Sequence, residues 1–189
     1  MSFTELPIPR IETERLILRT WLERDFECLT SIFCNEATAK YVGGARSEAT
    51  VWRQMATLMG HWHLRGYTVF AVERKEDGQT IGYAGPWYPL DWPEPEMGYG
   101  FRAEAHGKGY ASEAVLAALQ YAYDELGWKT AISLIDVRNE GSRSLAKRLG
   151  AQHESNLSLP EKTPAEIWRH VSPEVLKERI GSRVMLDEA

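Results

Sequence analysis

The chain has 189 residues, 43% of them hydrophobic and 26% charged, a make-up that suits a folded globular protein and excludes disordered, fibrous and membrane-spanning classes. This length supports one substantial core and not comfortably two, so a single domain over residues 1–189 is expected. A formal net charge of −5 argues against general nucleic-acid binding, which needs a clustered basic excess, while leaving room for a local phosphate pocket.

Met1 to Arg10 lacks a basic start followed by an apolar core, so no signal peptide is expected and a cytoplasmic location is the default. No apolar run approaches the roughly 18 residues of a spanning helix, so no membrane partner is expected either. Arg15 to Trp21 alternates in a way that predicts a first strand, and Asp25 opens a helix carrying Phe26, Leu29, Ile32 and Phe33. Both cysteines, Cys28 and Cys34, fall in that helix about 9 Å apart, beyond the reach of a disulfide, and read as idle thiols. Ser47 is the expected N-cap of a helix running to Arg65, with Val51, Met55, Leu58, Met59 and Trp62 on its buried face and Gly66 ending it. Within it, His61 and His63 are two apart and face away from each other, and no H-E-x-x-H or C-x-x-C pattern exists, so no metal is expected.

Tyr67 to Glu73 and Thr80 to Trp87 read as a hairpin across Asp77-Gly78. Pro86 to Pro95 holds four prolines and three aromatics and must be a stiff loop. Glu96 to Arg102 is the fourth predicted strand, Lys108 to Leu126 a helix, Lys129 to Val137 the fifth strand and Asn139 to Leu149 another helix. Ala151 onward returns to extended structure, with Glu166 to Val171 as the last strand and the tail after Ser172 as peripheral. This order implies a mixed sheet with helices on its faces, an α/β arrangement.

The chemistry is carried by His106-Gly107-Lys108-Gly109-Tyr110-Ala111-Ser112, a glycine turn entering a helix whose apolar stripe is Val115, Leu119, Ala122 and Leu126. Such a turn leaves several backbone N–H groups converging where the helix dipole favours negative charge, as a diphosphate requires. Alone, two glycines can serve only a tight turn, and neither the P-loop nor the dinucleotide fingerprint fits the spacing. The segment resembles the acetyl-CoA signature of the GNAT superfamily, Q/R-x-x-G-x-G/A, with His106 standing where that family has Gln or Arg. Gly107 to Ala114, Asp136 to Ser142, Leu145 to Ala151 and Thr13 to Arg19 are all similar to the Rim-type ribosomal-protein N-terminal acetyltransferase branch.

The resemblance implies a GNAT fold, a mixed and mostly antiparallel sheet that splays between strands 4 and 5, and acetyl transfer from acetyl-CoA to a primary amine, on a protein N-terminus or a small molecule. It places the pantetheine arm against Tyr99, Gly100 and Phe101 and the diphosphate against His106, Gly107, Lys108, Gly109, Tyr110, Ala111 and Ser112. Asn139 is an expected helix N-cap that can also touch the cofactor. Ala146 occupies the position where many relatives carry an acidic tyrosine, and the resemblance moves that role to Ser142. Glu96, which alternation sets on one face with Gly98 and Gly100, is by analogy the general base, although a carboxylate at a strand's start is commonly just solvated. Trp87 to Trp92, with Asp91 and Glu94, suits either core filling, an interface or an ammonium-bearing acceptor. Two rival readings are a non-catalytic acyl-CoA-binding module on the same fold and a nucleotide-binding domain. A homodimer is compatible with all three.

Overall fold

Alternating apolar residues and short hairpins assemble the sheet one neighbour at a time. In the computed structural model, which describes residues 8–158 and 164–187, β1 (Ile11–Glu12), β2 (Leu16–Arg19), β3 (Phe70–Arg74), β4 (Thr80–Trp87) and β5 (Glu96–Phe101) follow one another antiparallel. Beyond β5 lies β6 (Ile132–Asp136), parallel to it and joined by the single pair Glu96 and Ile132. β8 (Pro164–Arg169) then pairs antiparallel with β6, and β7 (Gln152–Ser158) with β8. The order across the sheet is β1-β2-β3-β4-β5-β6-β8-β7.

Helices cover both faces because successive strand residues point to opposite sides. Phe70 and Val72 of β3 join Leu16, Leu18, Met97 and the apolar stripe of α4 (Tyr110–Asp124) in one core. Val69 and Ala71 face the other way, against α1 (Phe26–Phe33) and α3 (Glu48–Arg65). A short α2 (Glu36–Ala39) follows α1, and α5 (Glu140–Arg148) sits beyond β6. Ser47 caps α3 by accepting from the Thr50 N–H, and Gly66 ends it at φ +78°.

Several expectations shift. The helix expected from Asp25 begins as a 3₁₀ turn, Glu23–Asp25, so that the buried Asp25 carboxylate can accept from Arg19, Thr80 and the Leu22 N–H. Cys34 is the residue that ends α1. Met59 is 46% exposed, because the buried face runs through Val51, Met55, Leu58 and Trp62 and leaves Met59 one step off it. The tail is not peripheral: α6 (Pro173–Asp187) buries Leu176 against α4 and carries Arg179, whose guanidinium donates to the Leu149 carbonyl. Residues 1–7, part of the segment read for a signal peptide, and 159–163 of the extended stretch lie outside the described residues.

Candidate active site

The single β5–β6 pair opens a gap that widens away from Glu96. A cavity of about 600 Å³ fills it, bordered by β5, β6, the glycine turn, α5 and, on the opposite face, α1, α2 and the loop to Val42. Of the expected site residues, Glu96, Tyr99, Gly100, Phe101, His106, Gly107, Ala111, Asn139 and Ser142 border this one cavity. Lys108, Tyr110, Gly109 and Ser112 do not. Gly109 and Ser112 face an adjoining groove with Arg15 and Glu113, and the Tyr110 ring is buried under the Arg15 and Arg74 guanidinium groups.

The end at which the sequence expects the diphosphate is built by α4. Gly109 is its N-cap at φ +81°, a left-handed conformation that glycine adopts without strain, and no side chain caps the helix. The Tyr110, Ala111 and Ser112 N–H groups therefore have no partner within the helix, and the fifteen-residue dipole points at them. Glu113 would oppose an anion there, but Arg15 neutralises it with a guanidinium bond of 2.7 Å and a backbone bond of 2.8 Å, and Thr13 adds a third of 2.6 Å. Arg15 also holds the turn itself through the Lys108 carbonyl at 3.0 Å. This clamp lies within the Thr13 to Arg19 segment, and its role was not readable from spacing, since the partners are about a hundred residues apart.

Along β5, the Met97 carbonyl accepts from Ser133 across the gap, and the Arg102 N–H donates to Ile81 on the β4 side. The two-residue repeat then turns the Tyr99 N–H and C=O toward the gap, where no strand meets them. The His106 side chain donates from Nε2 to the Phe101 carbonyl at 3.1 Å, so the residue that departs from the family pattern closes the end of β5. Gly100 is required by contact: a Cβ there would lie 2.6 Å from the Tyr83 ring.

Glu96 sits at the vertex of the gap, 9% exposed. Burial raises its pKa to about 7, against the opposing pull of the Leu134 N–H at 3.2 Å and the Trp92 indole N–H at 2.6 Å. A carboxyl poised near neutrality is the property a general base for an amine needs. On the α5 side, Asn139 caps the helix by accepting from the Ser142 N–H at 3.1 Å, and the Tyr99 hydroxyl donates to the Ser142 carbonyl at 3.3 Å. Of the aromatic loop, none of residues 87–92 borders the cavity. Trp87 packs on His61, Tyr88 lies under Arg65, and Glu94 is held by both Arg169 nitrogens at 2.8 and 3.0 Å. Only Trp92 reaches the site, through Glu96. Neither cysteine borders the cavity, and burial pushes the Cys28 thiol up to about 12. Among the described residues no group of three or more His, Cys, Asp or Glu could hold a metal.

The fold thus brings together a splayed strand pair, an uncapped glycine turn and, at the vertex, a buried carboxyl with a raised pKa. Residues 15–152 match the acetyltransferase (GNAT) domain family, and the chain belongs to it. It is 27% identical over 153 residues to the uncharacterized N-acetyltransferase YoaA of Bacillus subtilis (strain 168), covering 79% of this chain and 86% of that one. The crystal structure of an acetyltransferase from Agrobacterium tumefaciens str. C58 superposes with a TM-score of 0.80 at 25% identity, covering 91% of this chain and 99% of the other. The fold is shared with RimL, a ribosomal alpha-N-protein acetyltransferase solved in complex with coenzyme A, at a TM-score of 0.71, 16% identity and coverage of 87% and 99%.

Proposed function

We propose that this protein transfers the acetyl group of acetyl-CoA to a primary amine by direct attack within a ternary complex. The observation that carries the reading is the convergence, in one cavity, of Ala111 at the uncapped α4 N-terminus, the Tyr99 backbone without a strand partner and the buried Glu96 carboxyl. In this reading the diphosphate rests on the Tyr110 to Ser112 N–H groups, contacted by the Gly107 to Gly109 turn, and the pantetheine arm pairs with Tyr99 in the gap. The acceptor enters from the opposite face, past Ile32, Tyr41, Val42 and Tyr83.

The chemistry is then a proton relay across the sheet. The acceptor ammonium gives a proton to Glu96, directly or through water, and the neutral nitrogen attacks the thioester carbonyl. The Tyr99 N–H, which lacks a strand partner, steadies the oxyanion. Collapse breaks the carbon–sulfur bond, the attacking nitrogen gives its second proton to solvent, and the departing thiolate takes a proton from the Ser142 hydroxyl, which solvent restores. No acyl-enzyme is formed. The cofactor is the acetyl donor, no metal takes part, and the acceptor is a protein N-terminus or a small amine.

Mass spectrometry of a panel of amines and N-terminal peptides, incubated with acetyl-CoA and enzyme, tests this. An acetylated amide from at least one acceptor is expected. Binding of acetyl-CoA with no acetylated product from any amine would favour a non-catalytic acyl-CoA module instead.

A further inference from the structure

Where β5 and β6 part, the first missing rung of their ladder can be identified. The Ile132 N–H donates to the Pro95 carbonyl at 3.0 Å, so the next donor along β6 is the Leu134 N–H and the acceptor awaiting it on β5 is the Met97 carbonyl. That bond is not made, yet neither group is left without a partner. The Leu134 N–H donates to Glu96 Oε1 at 3.2 Å, and the Met97 carbonyl accepts from Ser133 Oγ at 2.8 Å. Two side chains have each replaced one half of a backbone hydrogen bond, which is how a buried split avoids the desolvation cost of orphaned peptide groups.

Ser133 can do this because its own hydroxyl is fixed. It is 1% exposed, and His170 Nε2, itself 4% exposed, lies 2.9 Å from Oγ. The hydroxyl's one proton goes to Met97, so Oγ accepts from His170, and His170 carries its proton on Nε2. The His170 Nδ1 has no partner among the described residues, and burial lowers the imidazole to about 4, so the ring stays neutral and the tautomer is constant through the working range of pH.

We propose that Ser133, oriented by His170, is a positioning residue that holds the β5–β6 gap open for the pantetheine arm by occupying the Met97 carbonyl, which leaves the Leu134 N–H to orient Glu96. Without the hydroxyl, the donor best placed for Met97 is the Leu134 N–H. The ladder then gains a rung, the Tyr99 N–H is drawn toward the Leu134 carbonyl, and the gap closes at its vertex. The purpose assigned to the gap rests on the acetyl-CoA reading above, whereas the mechanical claim does not.

The test combines amide hydrogen exchange of the free protein, followed by NMR at Tyr99, with calorimetric titration of acetyl-CoA. Ser133→Ala should slow Tyr99 exchange by about tenfold or more and weaken acetyl-CoA by about tenfold, the scale of one hydrogen bond. Ser133→Thr, which keeps the hydroxyl, should restore both, and His170→Phe should fall between. Folded Ser133→Ala protein with wild-type exchange and wild-type affinity would overturn the proposal. If Ser133→Ala does not fold, His170→Phe decides it, since wild-type values of both quantities there overturn it equally. Failure of the wild-type protein to bind acetyl-CoA would overturn the cofactor reading, while Tyr99 exchange in the variants still reports whether the hydroxyl holds the strands apart.

Discussion

Glu96 has two proposed tasks that a substitution can separate. Its carboxylate accepts the Leu134 and Trp92 N–H groups at the vertex of the gap, and its pKa of about 7 suits it to take a proton from an amine. Because burial raises this pKa, the base is protonated and idle below about pH 7 and active above it, and the acidic limb of the rate profile should fall there. Glu96→Gln keeps the size and still accepts hydrogen bonds, so acetyl-CoA affinity should persist while turnover drops and the acidic limb flattens, as pH–rate profiles with one good acceptor would show. Wild-type turnover with an unaltered limb would reduce Glu96 to the strand-splitting role alone. For Ser142, replacement by alanine should lower turnover by up to roughly 10²–10⁴ with little change in KM for acetyl-CoA. The Tyr99 hydroxyl lies against the Ser142 carbonyl, so steady-state kinetics of Tyr99→Phe are the paired control: turnover lost there and kept in Ser142→Ala would move the acid to the phenol.

Two elements form the proposed cofactor end of the site, and they differ in how far the sequence announced them. The α4 N-terminus was legible, because a glycine turn running into an apolar stripe has one structural outcome and its spacing matches a known signature. Since Gly109 sits at φ +81°, any side chain there is strained, and a charge is better introduced at Ala111, which lies in the helix's first turn and borders the cavity. Ala111→Glu should abolish acetyl-CoA binding in calorimetry while the protein stays folded, and unchanged affinity would remove the diphosphate from this turn. The β5–β6 gap was legible only through the resemblance. Its cause is the meeting of Glu96, Ser133 and His170, and alternation can place Ser133 on a face of β6 without showing which carbonyl it meets. The aromatic loop stayed open among core filling, an interface and an ammonium site for a similar reason. Rigid aromatics beside carboxylates look like an ammonium site until Arg169, some 75 residues away, is seen holding Glu94.

At the scale of the whole molecule, the proposed reaction asks the sheet to hold two substrates on opposite faces, and a buried polar joint at Asp25 ties that sheet together. Asp25 is 1% exposed and accepts two bonds from Arg19, one from Thr80 at 2.6 Å and one from the Leu22 N–H at 2.8 Å, tying β2, β4 and the start of α1 together. Burial alone would raise its pKa, but these partners outweigh it and the net shift is downward. The stability they contribute is therefore complete above the unfolded value of about 4 and is lost as pH falls through the depressed folded value. Asp25→Ala should cost about 3 kcal/mol in urea unfolding at neutral pH, and the gap from wild type should narrow in acid. In the proposed reaction acetyl-CoA and amine approach Glu96 and Tyr99 from the two sides of one gap and react directly, and neither cysteine borders the cavity. Initial rates of coenzyme A release, measured over a grid of acetyl-CoA and amine concentrations, test this most directly. Double-reciprocal lines that intersect are predicted, as both substrates must be present together; parallel lines, the mark of a covalent acetyl-enzyme, would contradict the account.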